Sequence, residues 1–326
     1  MTDQYESNFA TYQGKGWEAR QGNLERDMEK GMIWNRCSVN SEYKTLKEVL
    51  LYIPDPAQPS VKDPNSVLHI DSINFHTLST EMERFVNCLE TNHVIVHLIQ
   101  NDQLNLIDKK QYHYNLMYVC DLFFMTPQGA IISRMASAIR AGEEKYAAYT
   151  LAKIGIPILM TISGNGTFEG ADAIWLRKDV VLIAVGNRTN ENAFMQIKQC
   201  LGMHGIKCIM TSAPHGIQHL KGFMQIVDSH TVILRKHLVS DELMLILKKM
   251  GYHCIELSES DSILKNQALN FLMISPRHVI MVGGNPDMKK VLENNKITVV
   301  AELYMNELVK GAGGLCCATG ILHRNT

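Results

Sequence analysis

The sequence predicts an α/β protein, a five-fold pseudosymmetric α/β propeller of ββαβ units arranged as a ring. A pattern of strand, turn, strand, helix and strand recurs along the chain with a period of roughly 45–50 residues, which is typical of repeat architectures. Each predicted helix has apolar residues at helical spacing and ends at Gly or Asn. Units this small cannot bury their faces alone, so neighbouring units must stack around a common centre.

Four copies of the pattern are clear in the sequence. They begin at Tyr118, at Phe168, at Gln218 and near Ala268, and a looser copy runs from Leu46. The strands are short, apolar and rich in β-branched residues. We therefore predict one continuous domain over residues 36–326, preceded by an N-terminal extension or lid over residues 1–35.

Composition excludes several classes of function. The 326 residues carry a formal net charge of −1, which gives no sign of binding to nucleic acid or to anionic membranes. No apolar run reaches the roughly 18–20 residues of a membrane span, and the polar N-terminus lacks the apolar region of a signal peptide. The eight cysteines are scattered and form no Cys-x-x-Cys pair, which favours a reducing, cytoplasmic location. Histidine spacing fits no zinc pattern, and the glycine-rich runs follow no strand–GxGxxG–helix order, so we predict no metal and no organic cofactor.

Reactive side chains recur near the start of the first strand in successive units. These residues are Asp121, then Glu169 and Asp172, then His219, and finally the adjacent pair Cys316 and Cys317. Equivalent positions in ring-stacked repeats point towards the centre of the ring. The repeat therefore predicts that carboxylates, an imidazole and a thiol meet in one site.

These residue types define a chemistry. A thiolate is a strong nucleophile, and a histidine oriented by a carboxylate can protonate a leaving group and then activate water. A second carboxylate on the substrate side calls for a planar cation that bonds in a bidentate way, which describes a guanidinium group.

At these residues the sequence resembles the pentein superfamily of guanidino-group-modifying enzymes. It looks most like dimethylarginine dimethylaminohydrolases and arginine deiminases, with amidinotransferases as cousins. The run MYVCDLFFMTP resembles the segment that carries the guanidinium-binding aspartate, at Asp121. FEGADAIW places the histidine-orienting carboxylate at Glu169, and HLKGF places the catalytic histidine at His219.

The run GAGGLCCATGILHR resembles the family's nucleophile segment. Its match to a Cys-x-Thr pattern through Thr319, with a basic residue at Arg324, selects Cys317 as the nucleophile and leaves Cys316 as the fallback. The resemblance also implies substrate contacts at Arg140 and Arg188, for a carboxylate, and at Asn115. Asp172 is a further predicted substrate contact, with a hydrogen-bonding role at the end of a turn or strand as the alternative.

The sequence departs from the family pattern at four positions near these motifs. Lys221 stands where arginine deiminases have an aspartate, and Cys120 replaces the arginine or acid that usually precedes the aspartate. Ala171 replaces a glycine, and Ala312 stands where arginine deiminases have an arginine. The substrate pocket is therefore not expected to copy either well-known member.

The resemblance implies a cysteine-dependent hydrolase that acts on the guanidinium group of arginine or an arginine derivative through a covalent S-amidino intermediate. Its partner is a small guanidino substrate, and the family suggests a homodimer. One alternative is an amidinotransferase, in which an acceptor amine replaces water. An alternative of another class is a pentein-fold protein that only binds a partner.

Overall fold

The computed structural model describes residues 9–31, 33–100, 112–258, 260 and 267–325. The chain divides into two compact units, Met1–Arg36 and Cys37–Thr326. In the first unit, helix α1 (Leu24–Lys30) begins at Asn23, whose side chain accepts a hydrogen bond from the backbone N–H of Arg26 at 3.0 Å. Residues 1–8 and 32 of the predicted extension lie outside the described residues. The role of this segment as a lid stays a prediction.

The second unit contains the five predicted repeats as five separate three-stranded sheets. The strands are β1 Leu46–Leu51, β2 Ile95–Leu98, β3 Phe123–Thr126, β4 Gly129–Ile132, β5 Ile158–Thr161, β6 Ala173–Arg177, β7 Val180–Val185, β8 Lys207–Ser212, β9 Met224–Ile226, β10 Thr231–Arg235, β11 His253–Leu257, β12 Leu272–Ser275, β13 His278–Val282, β14 Thr298–Leu303 and β15 Gly320–Arg324. The longer helices are α2 Phe75–Thr91, α3 Glu144–Lys153, α4 Glu191–Gly202, α5 Asp241–Lys249 and α6 Pro286–Asn294. Two short helices, α7 Asn306–Lys310 and α8 Leu315–Ala318, follow β14.

Every sheet has the same topology. The middle strand pairs antiparallel with one neighbour and parallel with the other, as β4 does with β3 and β5. An antiparallel neighbour needs only a tight turn, whereas a parallel neighbour needs a crossover, which the helix of each unit supplies. The prediction of ββαβ units is therefore confirmed.

The first sheet closes the ring. Its order is β15-β1-β2, so the strand that precedes β1 in the repeat comes from the C-terminal end of the chain. The first copy is the loosest in sequence because its opening strand, β15, lies about 270 residues further along the chain.

Hydrophobic clusters join neighbouring units. One cluster combines Ile174 and Leu182 of the third sheet with Met224 and Val232 of the fourth, and helix α5 adds Leu243. A second cluster combines side chains from β10 and β11 with those of β12, β13 and α6. Since each core is shared, a single unit would expose an apolar face, which is the physical reason for the repeat. Within the described ranges, no helix is long and apolar enough to span a bilayer.

Candidate active site

The predicted site residues lie on single helical turns just before the first strand of each unit, and not within the strands. Asp121 ends the turn Val119–Asp121, Glu169 precedes the turn Gly170–Asp172, and His219 precedes the turn Leu220–Gly222. Cys317 lies in α8, before β15. These turns pack against one another. The repeat phase was thus predicted correctly, but the backbone that delivers the side chains is a helical turn.

Close backbone approach between the turns requires glycine. A Cβ atom on Gly170 would lie 2.2 Å from the carbonyl oxygen of Phe123 and 2.5 Å from that of Cys120. In the nucleophile segment, a Cβ on Gly313 would lie 2.2 Å from Cε1 of Tyr118, whose hydroxyl donates to the carbonyl of Leu308 at 2.6 Å. The glycines therefore let the segments of Asp121, Glu169 and Cys317 approach closely.

His219 and Glu169 form a buried pair. The distance from His219 Nε2 to Glu169 Oε2 is 2.6 Å, and Arg188 Nη1 lies 3.3 Å from Glu169 Oε1. Burial raises the pKa of Glu169, but His219, Arg140 and Arg188 outweigh it and lower the pKa to about 2. Burial lowers the pKa of His219, but Asp121, Glu169 and Asp172 outweigh it and raise the pKa to about 9. His219 is therefore a charged imidazolium at neutral pH, able to donate a proton.

The two carboxylate oxygens of Asp121 differ in their hydrogen bonding. Its Oδ2 accepts a hydrogen bond from Arg140 Nη1 at 2.5 Å. Its Oδ1 is buried without a hydrogen-bond partner in the part of the chain that the structure describes, and lies 3.8 Å from His219 Nδ1. A buried acceptor without a donor is costly. Asp121 Oδ1 is therefore a ready acceptor for a cationic N–H group beside His219.

Cys317 is held by Asn270. Asn270 Nδ2 donates to the Cys317 sulfur at 2.9 Å, and the backbone N–H of Cys317 donates to Asn270 Oδ1 at 3.0 Å. Burial, followed by the charge of Asp121 and by Cys316, raises the pKa of the Cys317 thiol to about 12. The resting residue is therefore a thiol, and a cation bound to Asp121 would favour its ionisation.

Arg140 and Asn115, predicted as substrate contacts, are engaged inside the protein. Arg140 is 4% exposed; it bonds Asp121 and donates from Nε to Glu143 Oε2 at 2.9 Å. Asn115 donates from Nδ2 to the carbonyl of Val67 at 2.8 Å. A substrate carboxylate could reach Arg140 only by displacing these carboxylates.

Arg188 and Asp172 differ in whether their side chains are available to contact a ligand. The Arg188 side chain is 18% exposed and lines the cavity beside Cys317, so it can reach a ligand. Both Asp172 oxygens accept bonds inside the protein, from Thr189 Oγ1 at 2.7 Å and from the backbone N–H of Leu220 at 3.1 Å. Asp172 therefore supports the turn that follows His219, and its predicted contact with substrate stays untested.

Cys317 and His219 line two cavities. The smaller has a volume of about 20 Å³ and is also lined by Asp121, Arg140 and Arg188. The larger, of about 350 Å³, is lined by mixed side chains, among them Ile217, Lys221, Arg235, Leu269 and Asn270. The two reactive groups thus stand between a small polar cavity and a larger one.

The ligand atoms of Asp121, Glu169 and His219 lie within 4.8 Å of one another, close enough to bind a metal ion. A histidine ligand must be neutral, however. Here the pKa of His219 is raised to about 9 and its Nε2 is bonded to Glu169. The arrangement fits proton transfer better than metal binding.

The chain is similar in sequence to arginine deiminases. The family model described as arginine deiminase matches residues 113–254. The arginine deiminase of Borrelia recurrentis (strain A1) is 23% identical over 267 residues, and that of Streptococcus uberis is 25% identical over 262 residues. The matches cover 67% and 68% of this chain but only 64% and 63% of those relatives, so the chain spans less than two thirds of their length.

Solved structures agree over a larger part of the chain. A dimethylarginine dimethylaminohydrolase from Pseudomonas aeruginosa, complexed with citrulline, covers 85% of this chain and 100% of its own, with a TM-score of 0.69 and 19% identity. The amidinotransferase SxtG from Microseira wollei covers 89% of this chain and 98% of its own, with a TM-score of 0.70 and 14% identity. The N-terminal domain of ArgZ, a cyanobacterial arginine dihydrolase, has a TM-score of 0.70 and 14% identity over 85% of this chain and 98% of its own.

The chain has the pentein fold. Within this pentein ring, the departure at Lys221 has a structural partner: its Nζ lies 3.4 Å from Glu42 Oε2 and 3.8 Å from the sulfur of Cys120. Lys221 and Cys120 therefore belong to one buried group beside the reactive residues.

Sequence reasoning missed Asn270. It lies just before β12, at the position in the fifth sheet's repeat that corresponds to Asp121 and His219 in their own repeats. The same repeat phase could have identified it. In a strand-like run, an uncharged amide is a weaker sign of a reactive site than a carboxylate or an imidazole. The sequence pattern therefore did not single out Asn270.

Proposed function

We propose that this protein is a cysteine-dependent enzyme that cleaves a carbon–nitrogen bond in the guanidinium group of arginine or an arginine derivative. The observation that carries the proposal is Asp121 Oδ1, a buried carboxylate oxygen without a partner in the described structure. Asp121 lines the small cavity that Cys317 and His219 also line. A guanidinium N–H satisfies this oxygen and places the guanidinium carbon beside the thiol.

Substrate binding starts the reaction. In the resting protein, the negative charge of Asp121 raises the pKa of the Cys317 thiol. The positive charge of a bound guanidinium offsets this effect. The thiol then loses its proton to solvent, and the thiolate attacks the guanidinium carbon. Asn270, which donates to the sulfur at 2.9 Å, stabilises the thiolate.

His219 then acts first as an acid and afterwards as a base. The imidazolium, held by Glu169, gives a proton to the departing nitrogen, the carbon–nitrogen bond breaks, and a covalent S-amidino intermediate remains. The neutral His219 next takes a proton from water, which attacks the same carbon. The carbon–sulfur bond breaks, and a urea-type product leaves with the thiolate regenerated. No step uses a metal or an organic cofactor.

The larger cavity of about 350 Å³ gives room for the rest of a free amino acid or for a departing amine. Arg188 supports an anionic substrate group, because its side chain remains partly exposed in the small cavity. A cytoplasmic location fits the eight cysteines, all of which are free thiols. A homodimer and a lid formed by residues 1–35 remain predictions.

Transfer to an acceptor amine is the second candidate. The fold supports it through the resemblance to SxtG, described as an amidinotransferase. The same four residues serve both reactions, and the difference is whether water or an amine reaches the intermediate. A protein that only binds a partner would not need the Asn270–Cys317 and Glu169–His219 pairs to be intact.

A substrate screen tests the proposal. Purified protein is incubated with arginine, a dimethylated arginine and other free guanidino acids, with and without glycine or lysine. Citrulline with ammonia or an alkylamine indicates hydrolysis, and ornithine with a new guanidino compound indicates transfer. Ornithine with ammonia indicates a hydrolase that continues past citrulline. If no guanidino compound gives more product than Cys317→Ala protein does, the proposal is wrong.

A further inference from the structure

A second cysteine pair lies beside the reactive residues and has no part in the reaction above. Cys120 and Cys316 are 5% and 7% exposed, and each thiol shifts the pKa of the other. Cys120 directly precedes Asp121, and Cys316 directly precedes Cys317. The helical turns that carry the two cysteines pack against each other. A bond formed between these two sulfurs would therefore act on both sides of the site.

Two hydrogen-bond donors lie next to this pair. Lys221 Nζ lies 3.8 Å from the sulfur of Cys120, and Gln225 Nε2 lies 3.6 Å from the sulfur of Cys316. The neighbouring Cys120 thiol, with help from Lys221 and Gln225 against the opposing effect of burial, lowers the pKa of Cys316. Cys316 is thus the more ionised of the adjacent cysteines, whereas burial raises the pKa of Cys317 to about 12. Thiolates and not thiols react with oxidants.

A small cavity lies beside Cys120. Cys120 and Lys221 line a cavity of about 20 Å³ together with Glu42 and Trp175. A volume of this size holds about one water-sized molecule. Only a small molecule could therefore approach Cys120 through this cavity.

We propose that Cys120 and Cys316 form an intramolecular disulfide on reaction with a peroxide, and that this disulfide switches the active site off. The Cys316 thiolate attacks one peroxide oxygen, the oxygen–oxygen bond breaks, and a sulfenic acid forms while hydroxide takes up a proton. The sulfur of Cys120 then attacks that of Cys316, the sulfur–oxygen bond breaks, and the oxygen leaves as water with the proton of Cys120. The net change is oxidation of two thiols to a disulfide and reduction of the peroxide to two waters.

The disulfide would change the geometry of the site. Its two sulfurs must come to about 2.05 Å, well inside the distance of a thiol hydrogen bond. The backbone segments that carry Asp121 and Cys317 must shift to allow this. Because catalysis depends on placement to within about an ångström, we expect activity to fall.

Mass spectrometry tests the modification without relying on the proposed function. Cys317→Ser protein is treated with hydrogen peroxide, the excess is destroyed with catalase, and the denatured protein is alkylated with N-ethylmaleimide. We expect loss of two hydrogen atoms, two fewer maleimide adducts, and a linked pair of peptides carrying Cys120 and Cys316. Cys120→Ser/Cys317→Ser protein should show none of this, whereas Cys208→Ser/Cys317→Ser protein should behave like the parent. Full alkylation of every remaining thiol, or oxidation of Cys316 to sulfinic acid without a link, would overturn the proposal.

The activity arm rests on the proposed function. Wild-type protein should lose guanidino-cleaving activity in peroxide and regain it in dithiothreitol, and Cys120→Ser protein should lose its own activity at least about ten-fold more slowly, since it cannot form the link. Equal rates of loss in the two proteins would overturn the switch. If the wild type has no guanidino-cleaving activity at all, the proposed function fails, and the mass measurement still decides whether the disulfide forms.

Discussion

Asn270 holds Cys317 from two sides, since its amide donates to the sulfur at 2.9 Å and accepts from the backbone N–H at 3.0 Å. Two bonds from one side chain fix both the position of the sulfur and the direction of the α8 backbone. The bond to sulfur also lowers the pKa of a thiol that burial raises.

Replacing Asn270 should therefore lower the reactivity of the Cys317 thiol. In Asn270→Ala protein we expect the thiol pKa of Cys317 to rise further and its alkylation by iodoacetamide near pH 8 to slow by about ten-fold, the effect of roughly one pKa unit. Asn285→Ala, which removes another buried asparagine, is the matched control and should leave the alkylation rate unchanged. An unchanged pH profile in Asn270→Ala would show that the amide only supports the fold.

The two adjacent cysteines should behave differently on mutation. Cys317→Ser should reduce turnover by about 10⁴-fold or more, because loss of the nucleophile removes the covalent route. Cys316→Ser should retain activity within about ten-fold, since its sulfur faces Cys120 and Gln225. Steady-state kinetics on both variants, with circular dichroism to check folding, make the comparison. Loss of activity in Cys316→Ser with retention in Cys317→Ser would overturn the assignment of the nucleophile.

Asp121 should discriminate charged substrates from neutral ones. Asp121→Asn removes the charge that faces the guanidinium, and we expect kcat/KM to fall by about 10²-fold, the effect of losing about 3 kcal/mol from a buried charged pair. Binding of citrulline, whose urea group is neutral, should change much less. Glu143→Gln removes the other close carboxylate partner of Arg140 and serves as the control. A similar loss in both variants would assign the effect to Arg140 and not to the substrate.

The His219–Glu169 pair should stabilise the protein within a defined pH range. The pKa of His219 is raised to about 9, so its contribution is complete below about pH 6.5 and is lost as the pH rises to 9. The pKa of Glu169 is lowered to about 2, so its contribution is present above about pH 4.5 and is lost as the pH falls towards 2.

The test is the free energy of unfolding from urea denaturation across this range. We expect the advantage of wild type over Glu169→Gln to be greatest between about pH 4.5 and 6.5 and to shrink towards pH 9. Glu242→Gln, at an exposed glutamate on α5, should follow the wild type at every pH. A pH-independent difference between wild type and Glu169→Gln would contradict the coupling.

Gly313 should tolerate no side chain. Its Cβ would lie 2.2 Å from the ring of Tyr118, which is pinned by the bond from its hydroxyl to Leu308. We expect Gly313→Ala to lower the free energy of unfolding by about 1–3 kcal/mol, as overpacking does. Gly202→Ala, at the end of α4 with nothing within 4 Å of the added Cβ, should not destabilise the protein. Equal stability of the two variants would show that the nucleophile segment can shift away from Tyr118.

Local patterns in the amino-acid sequence predict the architecture and the residue types at the centre of the ring. Apolar periodicity is local, so it marks strands and helices, and its repetition fixes the number of units and the phase at which Asp121, Glu169, His219 and Cys317 recur. Pattern alone could not show that β15 completes the first sheet, because that pairing joins residues far apart in the chain.

The pairing of charged side chains depends on packing in three dimensions. An arginine at position 140 could face either a substrate or a buried carboxylate. Only the packing of the folded chain places Arg140 against Asp121 and Glu143. The same holds for Cys316 and Cys317, neighbours in sequence whose side chains meet different partners, Cys120 for one and Asn270 for the other. Electrostatic effects depend on distance and burial in three dimensions, which sequence spacing does not specify.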